Sequence, residues 1–155
     1  MESEPHKATA DTAAATSIAA GGSQADEVSR IQKLYELSLT LSGDPAEVFA
    51  HIARMIGELM EVKVVCLSEV VGDQLHFRSV YVQGQMFTDA GICPLSVTPC
   101  ASVESSKDLR IYDRVMERFP DASFLKGHLA FSYCGFPALA SNGEVIAVTC
   151  LLDHR

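Results

Sequence analysis

The residues of this chain with the most chemical capacity are its five cysteines, at 66, 93, 100, 134 and 150. Cys93 and Cys100 stand seven positions apart in a stretch where no hydrophobic period holds. Cys100 also follows Pro99 at the predicted start of a helix, where the helix dipole favours thiolate and lowers a thiol's pKa. A low-pKa thiol with a second thiol nearby is the arrangement of a redox pair. The plainer reading is that a free cysteine packs like alanine or valine, and this is its commoner behaviour. Cys66, Cys134 and Cys150 fall in β-type segments, where core packing is the expectation. There is no Cys-x-x-Cys and no histidine pair at helical or strand spacing, so the sequence gives a metal site no support. His51 belongs near the polar side of a helix and His76 on a strand, and both read as solvated or satisfied side chains. Asp113, Arg118 and Asp121 read equally well as ligand contacts or as caps and surface pairs. No Ser/His/Asp pattern and no phosphate-cradling loop is present.

These residues must be positioned by one domain. The chain has 155 residues, 48% of them apolar and 21% charged, enough for a single core. With 12 basic and 20 acidic residues the formal charge is −8, which repels a phosphate backbone or an anionic membrane surface. The longest apolar run, residues 145–152, is far too short to cross a bilayer. An odd cysteine count in apolar surroundings, with no signal-peptide pattern at the start, points to thiols in a reducing cytoplasm. Residues 1–25 are Ala, Ser, Thr and Gly in the main and are expected to be a disordered tail, the folded domain being residues 26–155.

Asp26 and Glu27 open an amphipathic helix whose stripe is Val28, Ile31, Leu34, Tyr35 and Leu41, ending near Ser42. Leu37 and Leu39 widen its apolar side, so it can pack on its own domain or against a second copy. Asp44 followed by Pro45 is an N-cap and first-turn signature, and Val48, Phe49, Ile52, Met55, Ile56 and Leu59 mark a second helix to about Met60. Residues 63–70 and 75–82 flank a Gly72-Asp73 turn and predict an antiparallel hairpin. In its second strand Leu75, Phe77, Ser79 and Tyr81 alternate with His76, Arg78, Val80 and Val82, and neither side is wholly apolar. Residues 83–99 predict a long irregular loop. Short helices over 101–106, 114–119 and 123–128 and a short strand at 109–112 follow. A last hairpin, 131–139 and 145–152, turns through Ser141-Asn142-Gly143-Glu144; its second strand is apolar on both sides, as a central strand is. The fold class is therefore α+β, an antiparallel sheet with the N-terminal helices on one face and a crossover with short helices on the other.

The segment Phe131-Ser132-Tyr133-Cys134-Gly135-Phe136-Pro137, followed by Asn142-Gly143-Glu144 and a strand closing on Asp153, resembles the final hairpin of GAF domains. There a Tyr-x-Gly-x-Pro strand leads through an Asn-Gly or Asp-Gly turn into a Gly-x-Leu-x-x-x-Asp strand. Thr98-Pro99-Cys100-Ala101, Leu109-Arg110-Ile111-Tyr112-Asp113 and Arg118-Phe119-Pro120-Asp121 resemble three further family segments in the right order, and the likeness spans residues 28–153. Ala147 and Thr149 stand where the family has Gly and Leu. The chain stops where a GAF domain would begin its last helix, the expectation being an input domain cut ahead of that helix.

The resemblance implies a sensory or regulatory module of a bacterial signalling protein. It would be non-catalytic, dimeric through its N-terminal helix and joined to an output domain such as a histidine kinase or cyclase. It implies a pocket between sheet and crossover for a small ligand of unknown identity, such as a cyclic nucleotide, tetrapyrrole, haem or metabolite. Residues 83–103 and one face of the Phe131 strand would line it, with Cys93, Cys100, Asp113, Tyr133, Cys134 and Phe136 as candidate contacts and His128 near the rim. Tyr133 and Phe136 point to opposite strand faces, and the sequence does not say which set faces the pocket. The Cys-His pair of bilin-binding relatives and the Asn-Lys-x-Phe-Asp signature of cyclic-nucleotide binders are absent. The loop around Cys93 and Cys100 also resembles that of free methionine-R-sulfoxide reductases, GAF-fold thiol enzymes, though their glycine-rich surround is missing. That resemblance implies an alternative function, a thiol enzyme using Cys100 and Cys93.

Overall fold

The computed structural model describes residues 24–40 and 43–155, the side chains of 24 and 34–40 excepted. The tail expected over residues 1–25 lies outside this range but for its last two residues, as does the expected helix end at Ser42. Helix α1 spans Gln24–Thr40 and packs against α2, Pro45–Met60. The cap of α2 is the one its sequence predicts: Asp44 Oδ1 accepts a hydrogen bond from the Ala46 amide at 3.1 Å, and Pro45 fills the first position. Val28 and Ile31 of the α1 stripe remain 59% and 61% exposed, so this apolar edge is not covered by its own domain.

The strands are β1 Val64–Val71, β2 Gln74–Val82, β3 Gln85–Thr88, β4 Ile92–Pro94, β5 Arg110–Tyr112, β6 Ser132–Leu139 and β7 Val145–Asp153. They form one antiparallel sheet in the order β3-β2-β1-β7-β6-β5, with β4 also pairing β2. The doubly apolar strand β7 lies between β1 and β6, as its composition predicts. The crossover carries α3 Cys100–Ser106, α4 Val115–Arg118 and α5 Ser123–Gly127. This is the α+β arrangement read from the sequence. Ala53, Val65, Tyr81 and Leu151 pack together under α2 on one face. Val64, Cys66, Leu75, Phe77, Val80, Tyr133, Val148, Cys150 and Leu152 pack under the crossover on the other.

Two features depart from the sequence reading. Residues 83–99 are not one irregular loop. Gln83 and Gly84, at φ 47° and 94°, make a tight turn that returns the chain along β2 as β3, and β4 pairs β2 again further on. Strands of four and three residues are too short for a period to show in sequence. The second departure is a bulge: Leu67 pairs Ser79 and Ser68 pairs Phe77, which leaves Arg78 as an extra residue in β2. The expected alternation therefore breaks at Arg78. Leu75 and Phe77 share the crossover face with Val80 and Val82, while Ser79 and Tyr81 turn under α2. On the outer side of β2 the chain answers the bulge at residues 89–91, where the Asp89 amide bonds the Arg78 carbonyl at 3.0 Å and the Ala90 amide bonds that of Phe77 at 2.8 Å.

Candidate functional site

The crossover face holds two regions of opposite character. The first lies over β1, β7 and β6 and contains most of the polar or reactive side chains on that face. Cys100 starts α3 and is fully buried; the hydroxyl of Tyr133, itself 1% exposed, donates to its Sγ at 3.3 Å. Cys66 and Cys150 face each other across β1 and β7, and both are buried. The Cys100 thiol is pushed well up, first by its hydrogen bond with Cys150 and then by burial, against smaller opposing bonds from Tyr133 and Thr98. Cys150 is also raised: its bond with Cys100 pulls it down, but its bond with Cys66 and burial outweigh that. The lowering expected at a helix start is thus reversed, because the hydrogen bond with Cys150 and then burial favour the protonated thiol. Half-buried Cys93, on β4, is close enough to Cys100 to feel its charge; burial first and that charge second push its thiol up to about 11. Burial likewise drives the Tyr133 hydroxyl upward.

Gly135 explains the Tyr-x-Gly spacing. It is buried on β6 two residues beyond Tyr133, on the same strand face, and a Cβ there would run into the Tyr133 phenol. The tyrosine ring lies back along its own strand because that position has no side chain. Val103, Val115 and Leu125, all fully buried, close the region from above. It is core.

The second region lies at the β2–β3 side of the same face. There Phe77, Val80 and Val82 of β2, Phe87 of β3, Ala90, and Phe124 and His128 at α5 line a cavity of about 240 Å3. The bulge at Arg78 makes this wall, since without it Phe77 would face away from Val80 and Val82. The rings of Phe77 and Phe124 meet at 5.3 Å between centroids, tilted by 55°. His128, at the C-terminal end of α5, has its imidazole pKa lowered by burial and then by the nearby His154, whose Nε2 lies 2.9 Å from the His128 backbone oxygen.

Of the candidates named from sequence, Cys93, Cys100 and Tyr133 come together at or beside the packed region. Cys134 and Phe136 project from β6 to the opposite face, where half-buried Cys134 packs against the cluster under α2. This resolves the alternation left open in sequence. Asp113 is exposed and pairs with Arg118 at 3.2 Å, and Asp121 is exposed; neither lines the cavity. Of the cavity's seven lining residues His128 was named from sequence, and Phe87 and Ala90 fall in the stretch 83–103 expected to line a pocket. No residue of the Phe131 strand lines it, because that strand's crossover face is covered by packed side chains. Phe77 and Phe124 carried no motif, and their convergence depends on a bulge that alternation alone does not show. Among the described residues no three His, Cys, Asp or Glu side chains are grouped to hold a metal ion, and no helix is long and apolar enough to cross a membrane.

The family model for the GAF domain matches residues 44–155. The fold is shared with the GAF domain of a phosphoenolpyruvate-protein phosphotransferase from Acinetobacter, at TM-score 0.64 and 12% identity over 86% of this chain and 80% of that one. It is shared with the nlh2 GAF domain of A. aeolicus in an inactive state, at 0.62 and 15% over 83% and 81%. The free methionine-R-sulfoxide reductase of Neisseria meningitidis, in complex with its substrate, is similar at 0.64 and 18% over 86% and 78%. No curated protein matches the chain.

Proposed function

This chain belongs to the GAF domain family, and from that premise we propose that it is a non-catalytic sensory or regulatory module. It binds a small ligand under the crossover, works as a cytoplasmic homodimer through α1, and passes the bound state through its terminal helices to an output domain such as a histidine kinase or cyclase. The observation that carries this reading is the apolar cavity between β2, β3 and α5, lined by three phenylalanines and one imidazole. Concave, apolar sites with few polar groups are where small ligands bind. The exposed Val28 and Ile31 edge of α1 supports the dimer, since covering it with a second copy removes apolar surface from water. Native mass spectrometry of freshly purified protein tests both parts. A retained ligand mass on a dimer is the expected result; a clean monomer mass, with no small molecule raising the unfolding temperature, overturns the reading.

The alternative is a thiol enzyme of the free methionine-R-sulfoxide reductase kind using Cys100 and Cys93. One observation favours it, the closeness of the two thiols. Against it, Cys100 is fully buried and both thiols are raised, which keeps them protonated at neutral pH. NADPH consumption with thioredoxin and free methionine-R-sulfoxide separates the two readings: turnover lost in Cys100→Ser establishes the enzyme, and none is expected.

A further inference from the structure

We propose that the β2–β3 cavity takes an uncharged aromatic of one or two rings, packed among Phe77, Phe87 and Phe124, with its one hydroxyl or N–H group hydrogen-bonded to the His128 imidazole. The inference rests on the sensory reading and names the class of its ligand.

Three properties of the cavity carry it. The first is charge: none of Phe77, Val80, Val82, Phe87, Ala90 and Phe124 is ionisable, and His128 is the one polar side chain in the lining. A carboxylate, phosphate or ammonium entering it gives up hydration without meeting a counter-charge. Burial and His154 hold the imidazole neutral near pH 7, so His128 supplies no cation. A neutral imidazole instead offers one donor and one acceptor nitrogen, enough for a single hydroxyl or N–H. The second is shape: the Phe77 and Phe124 rings touch at 5.3 Å between centroids and are inclined at 55°, so a ring lying against the pair meets two aromatic surfaces at different angles. The third is size: about 240 Å3 lies just below the usual range for drug-sized ligands, which leaves room for one or two rings. The space farther along the sheet is already filled by Tyr133, Leu125, Val103 and Cys100, so a larger ligand cannot extend that way without unpacking the core.

The test uses the full chain and five probes: indole, toluene, cyclohexanol, benzoate and benzylamine. Titration calorimetry gives affinity, and protein NMR gives the place. Saturable indole binding is expected, with shift changes at Phe77, Phe124 and His128. Benzoate, benzylamine and cyclohexanol should bind at least about tenfold more weakly, given the cost of burying an unpaired charge and the loss of ring–ring contacts. His128→Gln should weaken indole by roughly two- to tenfold, the worth of one hydrogen bond, and leave toluene unchanged. Ala90→Trp, at an exposed position on the rim, should block both, with an unfolding temperature no lower than the parent's showing that the fold is kept. Equal binding of benzoate or benzylamine, or shift changes away from these residues, overturns the ligand class. If a charged or aliphatic ligand is instead retained in this cavity, the class fails while the sensory reading stands. If Ala90→Trp displaces nothing and no small molecule stabilises the protein, both fail.

Discussion

Tyr133 and Phe77 are aromatic residues on the same face of the same sheet, in the same buried cluster beneath the crossover, yet Tyr133 is enclosed on every side and Phe77 also lines a cavity. The difference lies in what faces each of them. Above Tyr133 come Cys100, Val103, Val115 and Leu125, all fully buried, with its hydroxyl satisfied by a thiol and its ring lying back over Gly135. Phe77 meets a tilted ring, a short helix end and a loop at the sheet's edge, and the fit leaves about 240 Å3 open. The side chains with obvious chemistry sit in the filled half, where burial holds their protons on. The half with room has almost none. In this domain reactive residue types mark packing, and the open space lies where the lining is almost wholly apolar.

The sharpest way to break that contrast is to empty the filled half. Tyr133→Ala should cost about 3–5 kcal/mol, as for other large aromatic-to-alanine changes in cores. That is a large share of a domain's total stability, so urea unfolding should show a strongly reduced midpoint or an unfolded protein. Tyr133→Phe removes only the bond to Cys100 and should cost about 0.5–1.5 kcal/mol. If Tyr133→Ala is tolerated with little loss, this region is not a packed core.

Gly135→Ala tests the same region from the backbone side. The added Cβ meets the Tyr133 phenol, which is buried and hydrogen-bonded and so has little freedom to move. A loss of about 1–3 kcal/mol is expected, the usual cost of overpacking. Paired with Tyr133→Phe the loss should shrink, because the hydroxyl is the nearest atom to the new Cβ. A neutral Gly135→Ala would mean that the glycine in the Tyr-x-Gly motif serves something other than this ring.

At the open half, Arg78→Ala should have a smaller effect on stability and a visible one on the cavity. The Arg78 Nε donates to Glu69 at 2.8 Å and its Nη1 to Asp89 at 3.3 Å, with all three side chains substantially exposed. Exposed pairs of this kind contribute about 0.2–1 kcal/mol. Asp89, however, directly precedes Ala90 on the cavity rim, so releasing it loosens that wall. Chemical denaturation should barely separate the variant from its parent, while hydrogen exchange at residues 89–91 accelerates.

How far these two halves were legible in the sequence follows from how local their causes are. The Asp44-Pro45 cap, the turn at Asn142-Gly143 and the apolar β7 are set by neighbours within a few residues, and each stands as read. The family was legible for the same reason, since its motifs are hairpin and turn chemistry. β3 and β4 escaped because they exist through pairing with β2 and not through their own pattern. The cavity escaped for a related reason. The mixed alternation at residues 75–82 was visible, but only the partner strand reveals that Arg78 is an extra residue and that Phe77 turns toward Val80. Cys100 shows the converse: its type and its place at a helix start were plain, while the neighbours that bury it come from β6 and β7, far along the chain.

The smallest expected effect is a change of slope. The His128 imidazole has a folded pKa below its ordinary value, from burial first and the proximity of His154 second. The unfolded chain therefore binds more protons than the native one between the folded pKa and about 6.5. Stability from this residue is complete above that upper limit and drains away as pH falls through the folded pKa. Asp153, whose carboxyl is held below the ordinary range by the His154 amide and Arg155 against the opposing pull of burial, loses its contribution in the same direction but at lower pH. His128→Gln should leave the unfolding midpoint at pH 8 unchanged and flatten its decline as pH falls below about 6.5, while the Asp153 contribution is lost at lower pH. The same titration followed on indole binding sharpens the contrast between the two halves. Protonating His128 places a charge in a cavity whose other lining residues are all apolar, so affinity should fall in the same window. A decline that persists in His128→Gln would assign it to groups outside the cavity.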